Sequence, residues 1–214
     1  MELEVLLLAN SYKRGGRCLA GLRTDTWEWV RPVTQRPTRA VAARACSSER
    51  GVLRPLDLIR VRAVQPAPLP HQSENIVIDE HSIQWVDTKS PRDCLPYLTP
   101  IARKNPYFLR ADSPAISAKF FTTGPTTRPS LALVAVQSAA ISPRQAGEQR
   151  TRVSRRIQFV RGGATWSLTL TDEFFSPEQH TFEVGASFLC LSVGDFFAPK
   201  DSHYKIAAGV IPRQ

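Results

Sequence analysis

The chain lacks any apolar run that approaches the roughly 20 residues of a membrane span. Its opening, MELEVLLLANS, carries the acidic residue Glu2 near its start, and its apolar run is too short for a secretory signal. These two absences predict a soluble, cytoplasmic protein. Long helices are also disfavoured, because the chain has 17 prolines against 11 glycines and proline interrupts a helix interior.

Motifs that bind metals or carry out catalysis are missing as well. The four cysteines are far apart with no C-x-x-C pair, which excludes the usual zinc motifs and a dense disulfide framework. Free thiols are predicted, and Cys18 and Cys190 suit buried strands. The Walker A spacing is absent, and no Ser-His-Asp or Cys-His arrangement follows from the spacing. The sequence therefore predicts no metal, no cofactor and no catalytic residue.

Positive charge is the most pronounced feature of what is present. The chain has 28 lysines and arginines against 19 acidic residues, a net charge of +9, and 22 of the 28 are arginines. Such a charge favours anionic partners, and guanidinium groups suit phosphate and base-edge recognition. An arginine bias with many alanines also fits a GC-rich genome and requires no specific partner. Charge and layout together favour nucleic acid as the partner.

Short apolar runs between turn residues predict a mainly β protein. The predicted strands cover residues 3–9, 17–22, 27–33, 56–64, 71–79, 83–86, 130–141, 152–160, 164–172, 187–194 and 204–211. About five strands in each half fit two tandem OB-like five-stranded β-barrels better than one sandwich. We expect an N-terminal barrel at 1–89, a connector of short helices and loops at 90–129 that packs on the body, and a C-terminal barrel at 130–214.

Seven short segments stand in order along nearly the whole chain. They are Asn10-Ser11-x-Lys13-x-Gly15-Gly16-Arg17-Cys18-x-Ala20-Gly21, Trp29-x-Arg31-Pro32-Val33, Leu56-Asp57, His71-Gln72-x-Glu74-Asn75, Leu170-Thr171-Asp172, Leu189-Cys190-Leu191-Ser192-x-Gly194 and Tyr204-Lys205. Together they resemble the bacterial dual OB domain family, with departures at Ser73 and Glu173, where proline is usual. The resemblance implies two tandem OB-like barrels, a role in prokaryotic conflict systems including defence against phage, and action through nucleic acid. It implies no catalytic residues.

A glycine pair with basic neighbours is the first candidate site. Lys13, Arg14 and Arg17 surround the pair. With Gly15 and Gly16 in a turn, backbone N–H groups and cations could point at a phosphate. The alternative is a plain hairpin turn with solvated charges. Both interpretations need the glycines.

An aromatic residue and an arginine on one strand face form the second candidate. Trp29 and Arg31 could stack a base and bind a phosphate. The same alternation could instead bury Trp27 and Trp29 in the barrel, which leaves Arg31 as the expected surface contact.

Four arginines form the densest positive patch, and two interpretations of it stay open. The patch is either a solvated face or a track for phosphates. Its members are Arg150, Arg152, Arg155 and Arg156.

An imidazole and a carboxylate three residues apart, His71 and Glu74, invite a catalytic interpretation. Polar capping of a turn after a proline-rich stretch explains them equally well. Asp172, at the end of a predicted strand, could hold a metal or a loop, and the loop is favoured. The other histidines show no metal-ligand spacing.

Three functions remain open at this point. The first is a non-catalytic module that binds single-stranded or structured nucleic acid. The second is an adaptor protein whose barrels dock an effector enzyme, with the charge only aiding solubility. The third and least favoured is a small hydrolytic or nucleotide-processing enzyme that uses His71, Glu74 or Asp172.

Overall fold

Strands account for about half of the residues that the structure describes. The computed structural model of the protein describes residues 1–123, 127–144, 154–172, 174–175 and 181–213. The strands in these ranges are β1 (Glu2–Lys13), β2 (Gly16–Arg23), β3 (Trp29–Val33), β4 (Ser47–Ser48), β5 (Gly51–Val52), β6 (Asp57–Pro66), β7 (Asn75–Ile78), β8 (Gln84–Thr88), β9 (Ala115–Ser117), β10 (Leu131–Val136), β11 (Ala139–Arg144), β12 (Ser154–Arg161), β13 (Ala164–Leu170), β14 (Phe182–Val184), β15 (Ser187–Val193) and β16 (Ser202–Pro212). The helices are α1 (Pro91–Ala102) and α2 (Lys119–Thr122), with 3₁₀ turns at Ala43–Cys46, Glu80–Ser82, Tyr107–Leu109 and Ala198–Lys200. The prediction of a mainly β protein is confirmed.

The first sheet closes into a five-stranded barrel. β1 pairs antiparallel with β2, and β2 pairs antiparallel with β3. β3 runs parallel to β7, β7 is antiparallel to β6, and β6 returns to β1. β8 is added to the sheet alongside β6. This ring order, with a parallel pair between the third and fifth barrel strands, is that of an OB barrel.

The second sheet repeats this order with two interrupted strands. β10 and β11 run along β15 and β14 in unbroken register, since Val136 lies opposite Ser187 and Ala139 lies opposite Val184. β11 pairs with β12, β12 with β13, β13 runs parallel to β16, and β16 pairs with β15. With β10–β11 as the first strand and β14–β15 as the fourth, the OB order recurs. The predicted fold of two tandem OB-like barrels is confirmed.

Apolar side chains form one cluster inside each barrel and a third cluster between the barrels. β1 contributes to two of them, because successive side chains of a strand point to opposite faces. Val5 and Leu7 lie in the first barrel, whereas Leu6 and Leu8 pack between the barrels. The partners of Leu6 and Leu8 include Phe188 on β15. The uninterrupted apolar run at the start of the chain thus belongs to a strand that is buried on both faces.

β1 and β16 are in direct contact where the barrels meet. The register of β1 shifts between Leu7 and Ala9, and that of β16 shifts opposite the step from Cys190 to Leu191. A Cβ atom on Gly209 of β16 would lie 2.2 Å from the backbone oxygen of Leu8. Only glycine fits this approach of two backbones.

Helix α1 packs against the cluster between the barrels. Ser90 caps its first turn by accepting a hydrogen bond from the Asp93 backbone N–H at 3.2 Å, and Pro91 occupies a first-turn position where no N–H is needed. Leu98 is the most buried residue of this helix. This helix therefore completes the interface between the two barrels.

Two further expectations concern thiols and membranes. The four cysteines are free; three are buried and Cys18 is half-buried. Within the ranges that the structure describes, no helix has both the length and the apolar character needed to cross a membrane.

Candidate nucleic-acid interface

The turn between β1 and β2 depends on its two glycines. Gly15 has φ +85°, in the left-handed region that favours glycine. A Cβ atom on Gly16 would lie 2.2 Å from the Val41 carbonyl oxygen. This close approach lets Arg17 and Val41 exchange two backbone hydrogen bonds, at 2.8 and 3.0 Å. Both glycines are therefore required by the fold itself, whatever the turn binds.

The basic side chains of this turn differ in their surroundings. Lys13 Nζ lies 3.1 Å from a carboxylate oxygen of Asp195, and the Lys13 side chain is 18% exposed. Arg14 is exposed and has no hydrogen bond or ion pair to any residue that the structure describes. Arg17 is half-buried. Arg14 is thus the cation of the turn most open to an outside anion.

Two loops, one from each barrel, lie beside this turn. The Lys13–Asp195 pair joins the turn to residues 194–201, which connect β15 to β16. The connection from β6 to β7 joins as well: the rings of His71 and His203 are 4.3 Å apart, and Gln72 Nε2 donates to the Val193 carbonyl at 3.4 Å. We call residues 13–17, 69–74 and 194–196, together with His203, the junction site. It combines a strand connection of each barrel with the basic turn.

The histidine pair lies at the centre of the junction site. His203 is buried, and its Nδ1 lies 2.9 Å from the Gly194 carbonyl oxygen. The His71 Nε2 atom is buried without a hydrogen-bond partner among the described residues. Burial, followed by the nearby His203, lowers the pKa of His71 to about 4, against a smaller opposing effect of Asp195. His71 is therefore neutral at pH 7.

Arg31 is buried, so the expectation of a surface contact at this position is wrong. Its side chain is 4% exposed, as is that of Glu74, and one guanidinium nitrogen lies 3.4 Å from the Glu74 carboxylate. The guanidinium also donates to the hydroxyls of Ser130 at 2.7 Å and Ser192 at 3.0 Å. Its other terminal nitrogen donates to Cys18 Sγ at 2.9 Å. The physical reason is that the second barrel covers the outer face of β2 and β3, to which Arg31 points.

Trp27 and Trp29 do not share one strand face inside the barrel. β3 begins at Trp29, because Trp27 adopts φ +55° in the preceding turn, where its ring stacks on Tyr97 at 4.2 Å. Trp29 is half-buried and packs against the cluster between the barrels. It also lines a cavity of about 320 Å³ together with Lys104 and Pro106. Trp29 and Arg31 therefore do not form the exposed stacking pair of the second candidate site.

The arginine patch is only partly described. Arg150 and Arg152 lie outside the described residues. Arg155 Nη1 donates to the Asp172 carbonyl at 3.2 Å. Arg156 holds Ser167 on the neighbouring strand through Nε at 2.9 Å and Nη2 at 2.7 Å. Arg155 and Arg156 are thus fixed by different neighbours, and their role in binding stays a prediction.

Two of the three residues of the enzymatic hypothesis, Glu74 and Asp172, already serve the fold. The Glu74 carboxylate faces Arg31 and also accepts the Ser130 backbone N–H at 3.1 Å. The Asp172 carboxylate accepts backbone N–H groups of Val210 at 2.8 Å and Phe174 at 3.0 Å, and burial raises its pKa to about 6. Asp172 thus holds a loop. Among the described residues, no group of three or more His, Cys, Asp or Glu side chains is placed to hold a metal ion.

The sequence-based search missed the residues that the second barrel brings to the junction site. Asp195 and Phe196 lie in the connection between β15 and β16, and His203 lies at the start of β16. The available signal was a pair of adjacent aromatic residues in a short segment bounded by Gly194 and Pro199. Two aromatic rings in a turn-rich segment have no strand face to bury them, which predicts exposure.

Two OB barrels joined side by side make this protein a dual OB-fold module. The sequence profile described as the dual OB-containing domain matches residues 3–210, nearly the whole chain. The chain therefore belongs to the dual OB-containing domain family, which confirms the resemblance drawn from the seven segments. No curated protein and no solved structure matches the chain.

Proposed function

We propose that this protein binds nucleic acid at the junction site and catalyses no reaction on it. The observation that carries the proposal is the convergence of the basic turn with a strand connection of each barrel. The first–second and fourth–fifth strand connections are loops through which OB barrels contact oligonucleotides. The net charge of +9 favours a polyanion over a neutral ligand. Binding without chemistry is supported by Glu74 and Asp172, whose carboxylates already serve the fold.

The proposal assigns contacts with the phosphate backbone to the turn. Arg14 should contribute most to these contacts, because its guanidinium is exposed and makes no hydrogen bond or ion pair within the described chain. Lys13 contributes less, since an incoming phosphate has to compete with Asp195 for it. Backbone contacts position a strand but carry little sequence information. Binding through this turn is therefore tolerant of sequence.

Neutralising the turn tests the proposal. Replacing Lys13, Arg14 and Arg17 together by glutamine is expected to weaken binding to all sequences nearly uniformly. The salt dependence should also become shallower, by about 0.7 in slope for each phosphate of a single strand that the protein no longer neutralises. The measurement is fluorescence anisotropy of labelled oligonucleotides at several salt concentrations, on a variant whose melting temperature equals that of the wild type.

A matched control removes one charge far from the junction. Arg92→Gln serves, because Arg92 is exposed on α1 and its neighbour Asp93 lines a cavity with Glu4. Glu4 and Lys13 are nine residues apart on β1, up to about 30 Å at the rise of a strand. If the triple variant keeps the oligonucleotide affinity and the salt dependence of the wild type, the turn is a plain hairpin with solvated charges. Failure of the wild type to bind any nucleic acid would favour the adaptor function instead.

We further propose that this binding serves a prokaryotic conflict system such as defence against phage, in the bacterial cytoplasm. The support is the association that the dual OB family resemblance carries. The triple variant tests this too, because loss of binding should abolish any resistance to phage that the wild-type chain confers on a bacterial host. Equal resistance to phage with the wild type and the triple variant would show that defence does not depend on the basic turn.

A further inference from the structure

Two adjacent phenylalanines stand out on the second barrel. Phe196 is 50% exposed and Phe197 is 47% exposed, although both are large and apolar. Their loop is held in shape by backbone hydrogen bonds: Phe197 N donates to the Ser202 carbonyl at 2.8 Å, and Gly194 N donates to the Tyr204 carbonyl at 2.8 Å. Exposed rings on a braced loop are presented to a partner at little cost in conformational entropy.

The two rings lie on opposite sides of β16. Phe196 contacts the ring of His203 at 5.7 Å, and Phe197 contacts the ring of Tyr204 at 6.0 Å. Successive residues of a strand point to opposite faces, so only Phe196 is on the side of the histidine pair. Asp195, which immediately precedes Phe196, is paired with Lys13. Phe196 therefore stands next to the basic turn, and Phe197 faces away from it.

We infer that Phe196 stacks an unpaired base whose neighbouring phosphate is held at the β1–β2 turn, so that the ligand of the junction site is a single strand. The inference rests on the proposed function. An aromatic ring beside a cation is how non-specific single-strand binders hold a nucleotide, since every base has a π-face. In a duplex the bases are already stacked and paired, so Phe196 has nothing to stack. A protein partner could also cover an exposed ring, but the unengaged Arg14 and the net charge of +9 favour a polyanion.

The experiment compares three probes on the full-length chain. They are a labelled thymidine strand of about 16 nucleotides, the upper site size for one OB barrel, the same strand with abasic positions, and a duplex of that length. Phe196→Ala should weaken binding of the thymidine strand by about 5- to 150-fold, which corresponds to the loss of one stacked base. Binding of the abasic strand and of the duplex should stay unchanged. Phe197→Ala is the matched control, equally exposed on the same loop, and should leave all three affinities unchanged.

The outcomes separate this inference from the proposed function. If the wild type binds and Phe196→Ala binds the thymidine strand equally well, the stacking role is wrong and nucleic-acid binding stands. The same holds if the wild type binds the abasic strand or the duplex as tightly as the thymidine strand. If Phe196→Ala weakens the binding of all three probes alike, the ring shapes the loop and does not stack a base. If the wild type binds none of the probes, the proposed function fails, and with it the stacking role; a protein ligand for the exposed ring is then favoured.

Discussion

His71, which is half-buried, and Asp172, which is buried, respond to pH in opposite directions. The pKa of His71 is lowered to about 4, so its stabilising contribution is complete above the unfolded value of about 6.5 and is lost as the pH falls toward 4. The pKa of Asp172 is raised to about 6, so its contribution is complete below the unfolded value of about 4 and is lost as the pH rises through 6. Between pH 4 and 6 the two residues change the unfolding free energy in opposite directions. The stability of the wild type therefore depends less on pH than it would with either residue alone.

Replacing His71 by glutamine should leave the pH dependence of the unfolding free energy that Asp172 causes. We expect the variant to gain about 1–2 kcal/mol in unfolding free energy relative to the wild type between pH 6.5 and pH 4.5, a figure reduced because His71 is only partly buried. Urea midpoints across this pH range provide the measurement. His81→Gln, at an exposed histidine, is the control and should follow the wild type. Parallel pH curves for the His71 variant and the wild type would contradict the assignment.

At the scale of elements, the sequence predicts the strands but not what packs against the outer face of each strand. The apolar run at residues 3–9 predicts a buried strand, and β1 is that strand. Whether Leu6 and Leu8 pack in a barrel or against another domain depends on contacts with Phe188, which no local pattern encodes. The predicted strand 130–141 proves to be β10 and β11, interrupted at residues 137–138. The sequence predicts short helices in this part of the chain but not the bounds of α1, because Pro96 and Pro100 lie inside it and proline weakens any helical pattern.

The β1–β2 turn permits a comparison between two Arg-Gly-Gly turns in the same chain. Gly16→Ala is expected to lower the unfolding free energy by about 3 kcal/mol, because its Cβ atom would collide with the Val41 carbonyl oxygen. The matched change is Gly163→Ala, where φ is +77° but no atom lies within 4 Å of the added Cβ, and it should cost about 1 kcal/mol for the backbone alone. Chemical denaturation of both variants measures the difference. Equal losses would show that the Val41 segment moves aside freely.

For the whole molecule, the sequence indicated both barrels but not how they meet. The contacts that assemble the junction site, Lys13 with Asp195 and His71 with His203, join residues more than 100 positions apart. Spacing along the chain cannot identify such pairs, since they exist only after both barrels have closed and docked. The same docking explains why Arg31, on a face that would be open in an isolated barrel, is buried. The division of the chain at residues 89 and 129 stays a prediction.

The Arg31–Glu74 pair of the first barrel contacts the second barrel through Ser130 and Ser192, and it sets the last prediction. Glu74→Ala should lower the unfolding free energy by about 3–5 kcal/mol, because it leaves the guanidinium of Arg31 buried without its carboxylate. Replacing both residues, Arg31 by methionine and Glu74 by leucine, should restore much of the loss, since no unpaired charge then remains. Asp25→Ala breaks an exposed pair with Arg23 and should leave the urea midpoint nearly unchanged.

Tryptophan fluorescence and circular dichroism should report one coincident unfolding transition for the wild type, and separate transitions for Glu74→Ala as the barrels uncouple. Two transitions already present in the wild type, or a Glu74→Ala midpoint equal to that of the wild type, would show that the pair does not hold the barrels together.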